Sequence, residues 1–291
     1  MNRQPYSSCH TLFKALKHPS KAADRVKRII FSTVIGPLLS PFRKGNIVVF
    51  HIGRSGSTVL GDILNQHPRI FWDSEIYERL LPQWTTQVSA LDIRDLSEDP
   101  LQFLKNRMRQ AGSRFYGFEV KFFQLKLLNL KLSDYINDLQ KLGVNYFIIL
   151  ERKNYLRAIV SSVIAHQTLL LHQSKQDRPK LHQVKLEIDN IKIDRNAKPL
   201  ISYLWEYHED FRKLEKFLSG KNVLKLSYED DVMASPLSAY ERVCNFIGIE
   251  SRKVSVRFSK TNPFKLREII TNFEEVEQTL SGTLFEWMLY E

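Results

Sequence analysis

Apolar residues in this chain fall into short continuous runs separated by segments with helical spacing. Ile47-Val48-Val49-Phe50 is dominated by β-branched residues, the pattern of a strand buried on both faces. After a small-residue segment, Val59, Leu60, Ile63 and Leu64 recur at helical intervals until His67-Pro68, where a helix has to stop. Ile70-Phe71-Trp72 predicts a short strand, and Asp99-Pro100 opens a helix through Arg109 with proline in its first turn. Phe115 to Phe122 reads as a strand, and Ser133 to Leu142 as a helix capped by Ser133 and closed by Gly143. Tyr146 to Leu150 is the next apolar strand, with a helix from Asn154 to about His172 behind it. Gln173 to Lys198 is polar and charged, which predicts an insertion with a hairpin around Ile188 to Ile193. A long helix over Leu200 to Leu218 aligns Leu204, Tyr207, Phe211, Leu214 and Leu218 on one face. Val223 to Leu226 is the last strand, followed by a helix from Ser235-Pro236 to Gly248. Strands separated by helices imply an α/β fold: a central parallel sheet covered by helices on both faces. No repeat or low-complexity linker divides the pattern, so one domain is expected over residues 46–291, with 1–45 as a basic extension packed on the core.

Composition changes this picture in three ways. The net charge of +11 favours anionic partners: nucleotide phosphates, acidic glycans, lipid headgroups or nucleic acid. The only cysteines, Cys9 and Cys244, cannot build a disulfide framework and have no zinc-finger spacing, which suits a reducing compartment and a cytoplasmic location. The apolar run Ile29 to Leu39 is eleven residues long and contains Gly36 and Pro37. A spanning helix needs about 20 apolar residues. Lys21, Arg25, Lys27 and Arg28 ahead of that run offer a basic surface for peripheral membrane contact, the alternative to packing on the core.

The chemistry concentrates where the first strand ends. Gly53-Arg54-Ser55-Gly56-Ser57-Thr58 joins that strand to a helix, the arrangement that points backbone N–H groups and a helix N-terminus at a phosphate. Arg54 adds a cationic fork, Ser57 and Thr58 add hydroxyls, and the glycines at 53 and 56 allow close approach. The kinase-type loop G-x-x-x-x-G-K-[ST] is absent, because no lysine follows Gly56. An ordinary strand–helix turn is the plain alternative.

Gly53 to Leu60, GRSGSTVL, resembles the 5′-phosphosulfate loop of sulfotransferases that use 3′-phosphoadenosine 5′-phosphosulfate (PAPS). The segment from Tyr146 to Arg152, with Ser161 nine residues further on, resembles the 3′-phosphate site of bacterial carbohydrate-type members. Leu226-Ser227-Tyr228-Glu229-Asp230, with Pro236 after it, resembles the strand end whose tyrosine packs near the adenine. The resemblance implies sulfuryl transfer to a hydroxyl of a glycan, glycolipid or small metabolite, adenosine 3′,5′-bisphosphate as product, and no metal. It assigns Arg54, Ser55, Gly56, Ser57 and Thr58 to the 5′-phosphosulfate, Arg152 and Ser161 to the 3′-phosphate and Tyr228 to the base. Lys260, in a basic loop near the C-terminus, would close over the nucleotide. Glu75 stands where similar carbohydrate enzymes carry their general base; Asp73 and Glu78 are weaker alternatives. Lys121 occupies the place of the histidine of the cytosolic aryl and steroid enzymes, and would contact the leaving phosphate or the acceptor. Alternatives to these roles are a surface ion pair for Arg152, a helix–sheet contact for Ser161, a core aromatic for Tyr228, a helix-start carboxylate for Glu75 and a snorkelling amine for Lys121. The eight histidines form no H-E-x-x-H or comparable cluster, so no metal is assigned.

Two other classes compete with this reading. A P-loop nucleotide kinase would need the missing lysine. A non-catalytic polyanion-binding module would need a basic helix or an aromatic β platform, and neither is present, so nucleic acid is not expected as a partner. The acceptor is expected to be set by variable segments such as Thr85 to Ser97 and Gln173 to Lys198.

Overall fold

The computed structural model describes residues 35–81, 98–168, 173–174, 180–259 and 263–290. Its strands in chain order are β1 Asn46–His51, β2 Ile70–Glu75, β3 Phe115–Lys121, β4 Val144–Glu151, β5 Gln173–Ser174, β6 Ile191–Ile193, β7 Asn196–Lys198, β8 Val223–Ser227 and β9 Phe258–Ser259. Five of them form a parallel sheet in the order β2-β3-β1-β4-β8. The most apolar strand, β1, lies at the centre with all six residues buried, so both edges of its backbone are paired and both faces are covered.

The main helices are α1 Ser57–Asn65, α2 Pro100–Arg109, α3 Leu132–Lys141, α4 Tyr155–Thr168, α5 Leu200–Leu218, α6 Pro236–Phe246 and α7 Phe273–Leu280. Side chains alternate across each strand, and the sheet therefore divides the core in two. On one face Val48, Phe50, Phe118 and Phe147 pack with Tyr135 of α3, Leu156 of α4 and Phe211 of α5. On the other, Ile47, Val49 and Ile148 pack with Leu60 and Ile63 of α1 and Tyr240 and Val243 of α6. The α/β architecture with helices on both faces is as the pattern of apolar runs implies. No helix among the described residues is long and apolar enough to cross a membrane.

Several boundaries differ from the sequence reading. β2 continues past Trp72 to Glu75, through a register shift against β3 and a left-handed φ of 56° at Ser74. The irregularity is held by Asp73, which accepts from Arg107 Nε at 2.7 Å and from the Tyr116 hydroxyl at 2.8 Å. Helix α3 starts one residue earlier than expected, after Lys131, and Ser133 does not cap it: its hydroxyl donates to Asp134 at 3.2 Å. Gly143 does close it, with φ of 79°. The hairpin lies at β6 and β7, three residues beyond the expected start. The extension of α4 toward His172 lies outside the described residues, as do residues 1–34 and 82–97. Of the N-terminal extension, Arg43 donates to Gly112 O and Asn46 Oδ1, whereas Leu38 and Phe42 are exposed.

Trp72 is the tightest joint in the sheet. A Cβ on Gly117 would stand 2.3 Å from its ring, inside any tolerable contact. Gly117→Ala is therefore expected to cost about 2–3 kcal/mol and lower Tm by several degrees, since overpacking in a rigid core is relieved only by moving a buried ring. A melting temperature within a degree of the parent would show that Trp72 can swing aside.

Candidate active site

The segment after β1 turns sharply because Arg54 and Gly56 both adopt left-handed backbone, at φ of 63° and 79°. For Gly56 a side chain is also sterically barred: a Cβ would lie 2.8 Å from the Tyr228 ring. Ser55 is fully buried and its hydroxyl donates to Ile52 O at 2.8 Å, so it braces the turn from within. Helix α1 then starts at Ser57, and its first N–H groups have no partner inside the helix. A tight loop thus leads directly into a helix N-terminus, the arrangement that an anion site uses.

The residues assigned to the 3′-phosphate come to the same place. Arg152, in the turn after β4, donates from Nη1 to Arg54 O at 2.7 Å and lies over the Tyr228 ring at 4.6 Å. Arg54 Nε donates to Ser161 Oγ on α4 at 3.0 Å. Arg54, Arg152, Ser161 and Tyr228, far apart in the chain, therefore form one contiguous wall that carries two guanidinium groups. Arg152 is 6% exposed, its Nε has no hydrogen-bond partner, and among the described residues no carboxylate lies within ion-pairing distance of it. Burial pushes its pKa down to about 10, against the raising influence of Tyr228 and Glu229; Arg54 is also lowered, first by burial. A buried guanidinium in this state is costly unless an anion completes it. Its Nε is left with room for one further acceptor.

The candidate carboxylates lie at the end of β2 and just beyond it, and Glu75 acts electrostatically on Arg54. Glu75, at the end of β2, accepts from Lys121 Nζ at 2.6 Å. Burial by itself would lower the Lys121 pKa, but the Glu75 carboxylate outweighs it, and Asp194 and Glu78 add to the rise. Asp73 is engaged by Arg107 and Tyr116, and Glu78 by Arg195 and by Gln124 Nε2 at 3.2 Å. The two weaker base candidates therefore have structural partners.

Beneath the loop lies a buried network that the sequence did not reveal. Glu119 accepts from Trp72 Nε1 at 2.7 Å, faces His51 Nε2 at 3.3 Å and takes a bond from Ser57. Burial raises its pKa, but the bonds from His51, Trp72 and Ser57 outweigh that and hold it below the usual carboxylate range. His51 Nδ1 is 2.6 Å from Ile52 O. His51, Glu75 and Glu119 each bring an atom to within 4.8 Å of the others, close enough to hold a cation. The amine of Lys121 already sits on Glu75, so the charge a metal would supply is partly provided by the chain itself.

Beyond Lys121 a cleft opens between Ile52 at the end of β1, the segment 121–127, the β6–β7 hairpin and α5. Asp194, Tyr203 and Tyr207 line it, and Lys126 bridges Glu206 and Asp210 at 2.6 and 2.5 Å in its wall. Asp194 was not singled out in the sequence; its one signal is an Asp-Arg pair between two short β-like runs. Lys260 and the segment Thr85 to Ser97 lie outside the described residues. The neighbouring strand β9 pairs with β5, which brings the C-terminal segment against the insertion.

No family model and no curated protein matches the chain. Among solved structures it is similar to the crystal structure of a sulfotransferase from Alicyclobacillus acidocaldarius, at 13% identity and a TM-score of 0.53, covering 85% of this chain and 96% of that one. The two chains share an α/β fold built on a central parallel sheet. At that identity the likeness concerns backbone architecture, and the roles of individual side chains rest on the geometry of this chain.

Proposed function

We propose that this chain transfers a sulfuryl group from PAPS to a hydroxyl of a glycan, glycolipid or small metabolite, releasing adenosine 3′,5′-bisphosphate. The observation that carries the reading is Arg152: a buried guanidinium with an unpartnered Nε, one hydrogen bond away from the phosphate loop. A single phosphate site beside β1 suits any nucleotide; a second one at Arg152 and Ser161 suits a 3′-phosphate.

PAPS supplies an SO₃ group on a phosphate leaving group. Arg54 and the amides of Ser55 to Thr58 would neutralise the charge that grows on that phosphate as its bond to sulfur breaks. Tyr228 packs against the loop where the base would lie, and Lys260 is assigned to closure. Glu75 would take the proton of the acceptor hydroxyl as the new S–O bond forms, with Lys121 holding the carboxylate in place. Residues 46–291 form the catalytic domain in this proposal, 1–45 an accessory segment available for peripheral membrane contact, and the location is cytoplasmic.

The direct test is incubation of the purified chain with sulfur-labelled PAPS and a lysate fraction. Turnover is expected to persist in excess EDTA, because the transferred group carries less charge than a γ-phosphoryl and Lys121 and Arg54 supply cations. Complete loss in EDTA that Mg²⁺ restores, with ATP consumed in place of PAPS, would move a nucleotide kinase ahead.

A further inference from the structure

Strands β6 and β7 are joined by only Asp194 and Arg195, and both adopt left-handed backbone, with φ of 52° and 58°. A tight hairpin of this kind normally carries glycine or asparagine; aspartate tolerates it, arginine less so. The turn is nevertheless firmly held. Ile191 and Ile193 are buried, the Tyr203 hydroxyl donates to Ile193 O at 3.0 Å, and Arg195 is buried against Glu78 in an ion pair. Backbone strain that packing enforces in this way serves to aim a side chain.

The side chain so aimed is Asp194. Its Oδ2 accepts from the Tyr207 hydroxyl at 2.6 Å. Its Oδ1 has no hydrogen-bond partner among the described residues and lies 3.9 Å from where a Cβ on Gly53 would stand. An unpartnered carboxylate oxygen thus stands in van der Waals range of the start of the phosphate loop, and Asp194 lines the same cleft as Lys121. Burial raises the Asp194 pKa beyond what Tyr207 and Lys121 offset, which fits a carboxylate with one hydrogen bond too few.

We propose that Asp194 anchors the acceptor by taking a hydrogen bond from one of its hydroxyls while a neighbouring hydroxyl reacts at Glu75, so that the acceptor is a polyol rather than a phenol or monohydric alcohol. The inference rests on the sulfuryl-transfer reading and narrows it. Lys121, Lys126 and Lys198 in the cleft are each paired with a carboxylate, so their charges are compensated and a hydroxyl donor meets the open oxygen of Asp194 without adding charge. Ile52, Phe122 and Phe123 offer an apolar floor for the C–H face of a ring. Lys121, whose amine lies 2.6 Å from Glu75, lines the same cleft as Asp194, so the two carboxylates flank one acceptor space.

The full chain should be given sulfur-labelled PAPS with methyl α-glucoside, trehalose and myo-inositol as polyols, and with 2-naphthol and 1-butanol as single-hydroxyl probes. Label is expected in at least one polyol. Asp194→Asn should raise the KM of that polyol about ten- to a hundredfold, the loss expected when a hydrogen bond to a charged acceptor is removed, with a smaller change in kcat. Its affinity for adenosine 3′,5′-bisphosphate should match the parent, and Asp194→Glu should recover part of the KM. If Asp194→Asn fails to fold, Tyr207→Phe carries the test: it frees the carboxylate to turn and should raise the same KM severalfold. Label confined to naphthol or butanol, PAPS hydrolysis with no labelled polyol, or a parental KM in the variant that does fold would each overturn the anchor. No consumption of PAPS under any condition would sink sulfuryl transfer itself, and the anchor with it.

Discussion

Glu75→Gln is expected to lower turnover by about 10²–10⁴-fold, the usual worth of a positioned proton acceptor, while the fold and the affinity for adenosine 3′,5′-bisphosphate persist. Glutamine keeps the length and shape of the side chain and can still accept from Lys121 Nζ, which now lies 2.6 Å from the carboxylate. What it cannot do is take a proton. The neighbouring acids provide the control. Asp73→Asn weakens the pairing with Arg107 and the bond from Tyr116, and Glu78→Gln weakens the pairing with Arg195. Both changes should lower Tm, and both should leave turnover of the folded protein within about tenfold of the parent, because neither removes a group assigned to proton transfer. Normal turnover by Glu75→Gln with a natural acceptor would pass the role to another residue. If the variant also lost the nucleotide, Glu75 would be a structural residue at the end of β2.

The second large effect is expected at Arg152. Adenosine 3′,5′-bisphosphate should raise the melting temperature well beyond an equal concentration of AMP, since only the bisphosphate places an anion against a guanidinium that is buried and incompletely bonded. Arg152→Ala should then cost at least about 1.5 kcal/mol of bisphosphate affinity, roughly tenfold or more, and should bring the two nucleotides close together. The loss is expected to exceed that of one surface ion pair because Arg152 also supports the loop through Arg54 O and stacks on Tyr228. Equal stabilisation by bisphosphate and AMP in the parent protein would remove the 3′-phosphate assignment. The measurement is a thermal melt series with each nucleotide, followed by titration calorimetry on the parent and the variant.

What could be read in advance was local in origin. β1 and α1 were legible because a β-branched run, a glycine-bearing turn and a 3.6-residue apolar period each carry their own signal over fewer than ten residues. The long helix α5 was legible for the same reason, down to its end residues Leu200 and Leu218. Of the candidate nucleotide residues, Arg54, Arg152 and Tyr228 stood at the ends of such elements and Ser161 inside the helix that follows Arg152, so placing the elements in a parallel sheet brought them to its C-terminal edge.

Other features depend on pairings between distant parts of the chain. Trp72 does not look like the end of a strand joint until Gly117 is seen beneath it, and the continuation of β2 to Glu75 depends on Arg107 and Tyr116 holding Asp73. Ser133 looks like a helix cap, yet its hydroxyl turns to Asp134, because a local hydrogen bond of similar energy was available. By itself the sequence determined the order and type of the main elements and the loop that meets the anion, since propensity and periodicity act over single turns. Only the tertiary structure decided that Lys121 lies on Glu75, that Glu119 is held by His51 and Trp72 under the loop, and that a strained turn aims Asp194 into the cleft. Those contacts join residues from 46 to more than a hundred positions apart, and a charge or a hydrogen bond at that separation has no signature in a stretch of sequence until packing brings its partner within reach.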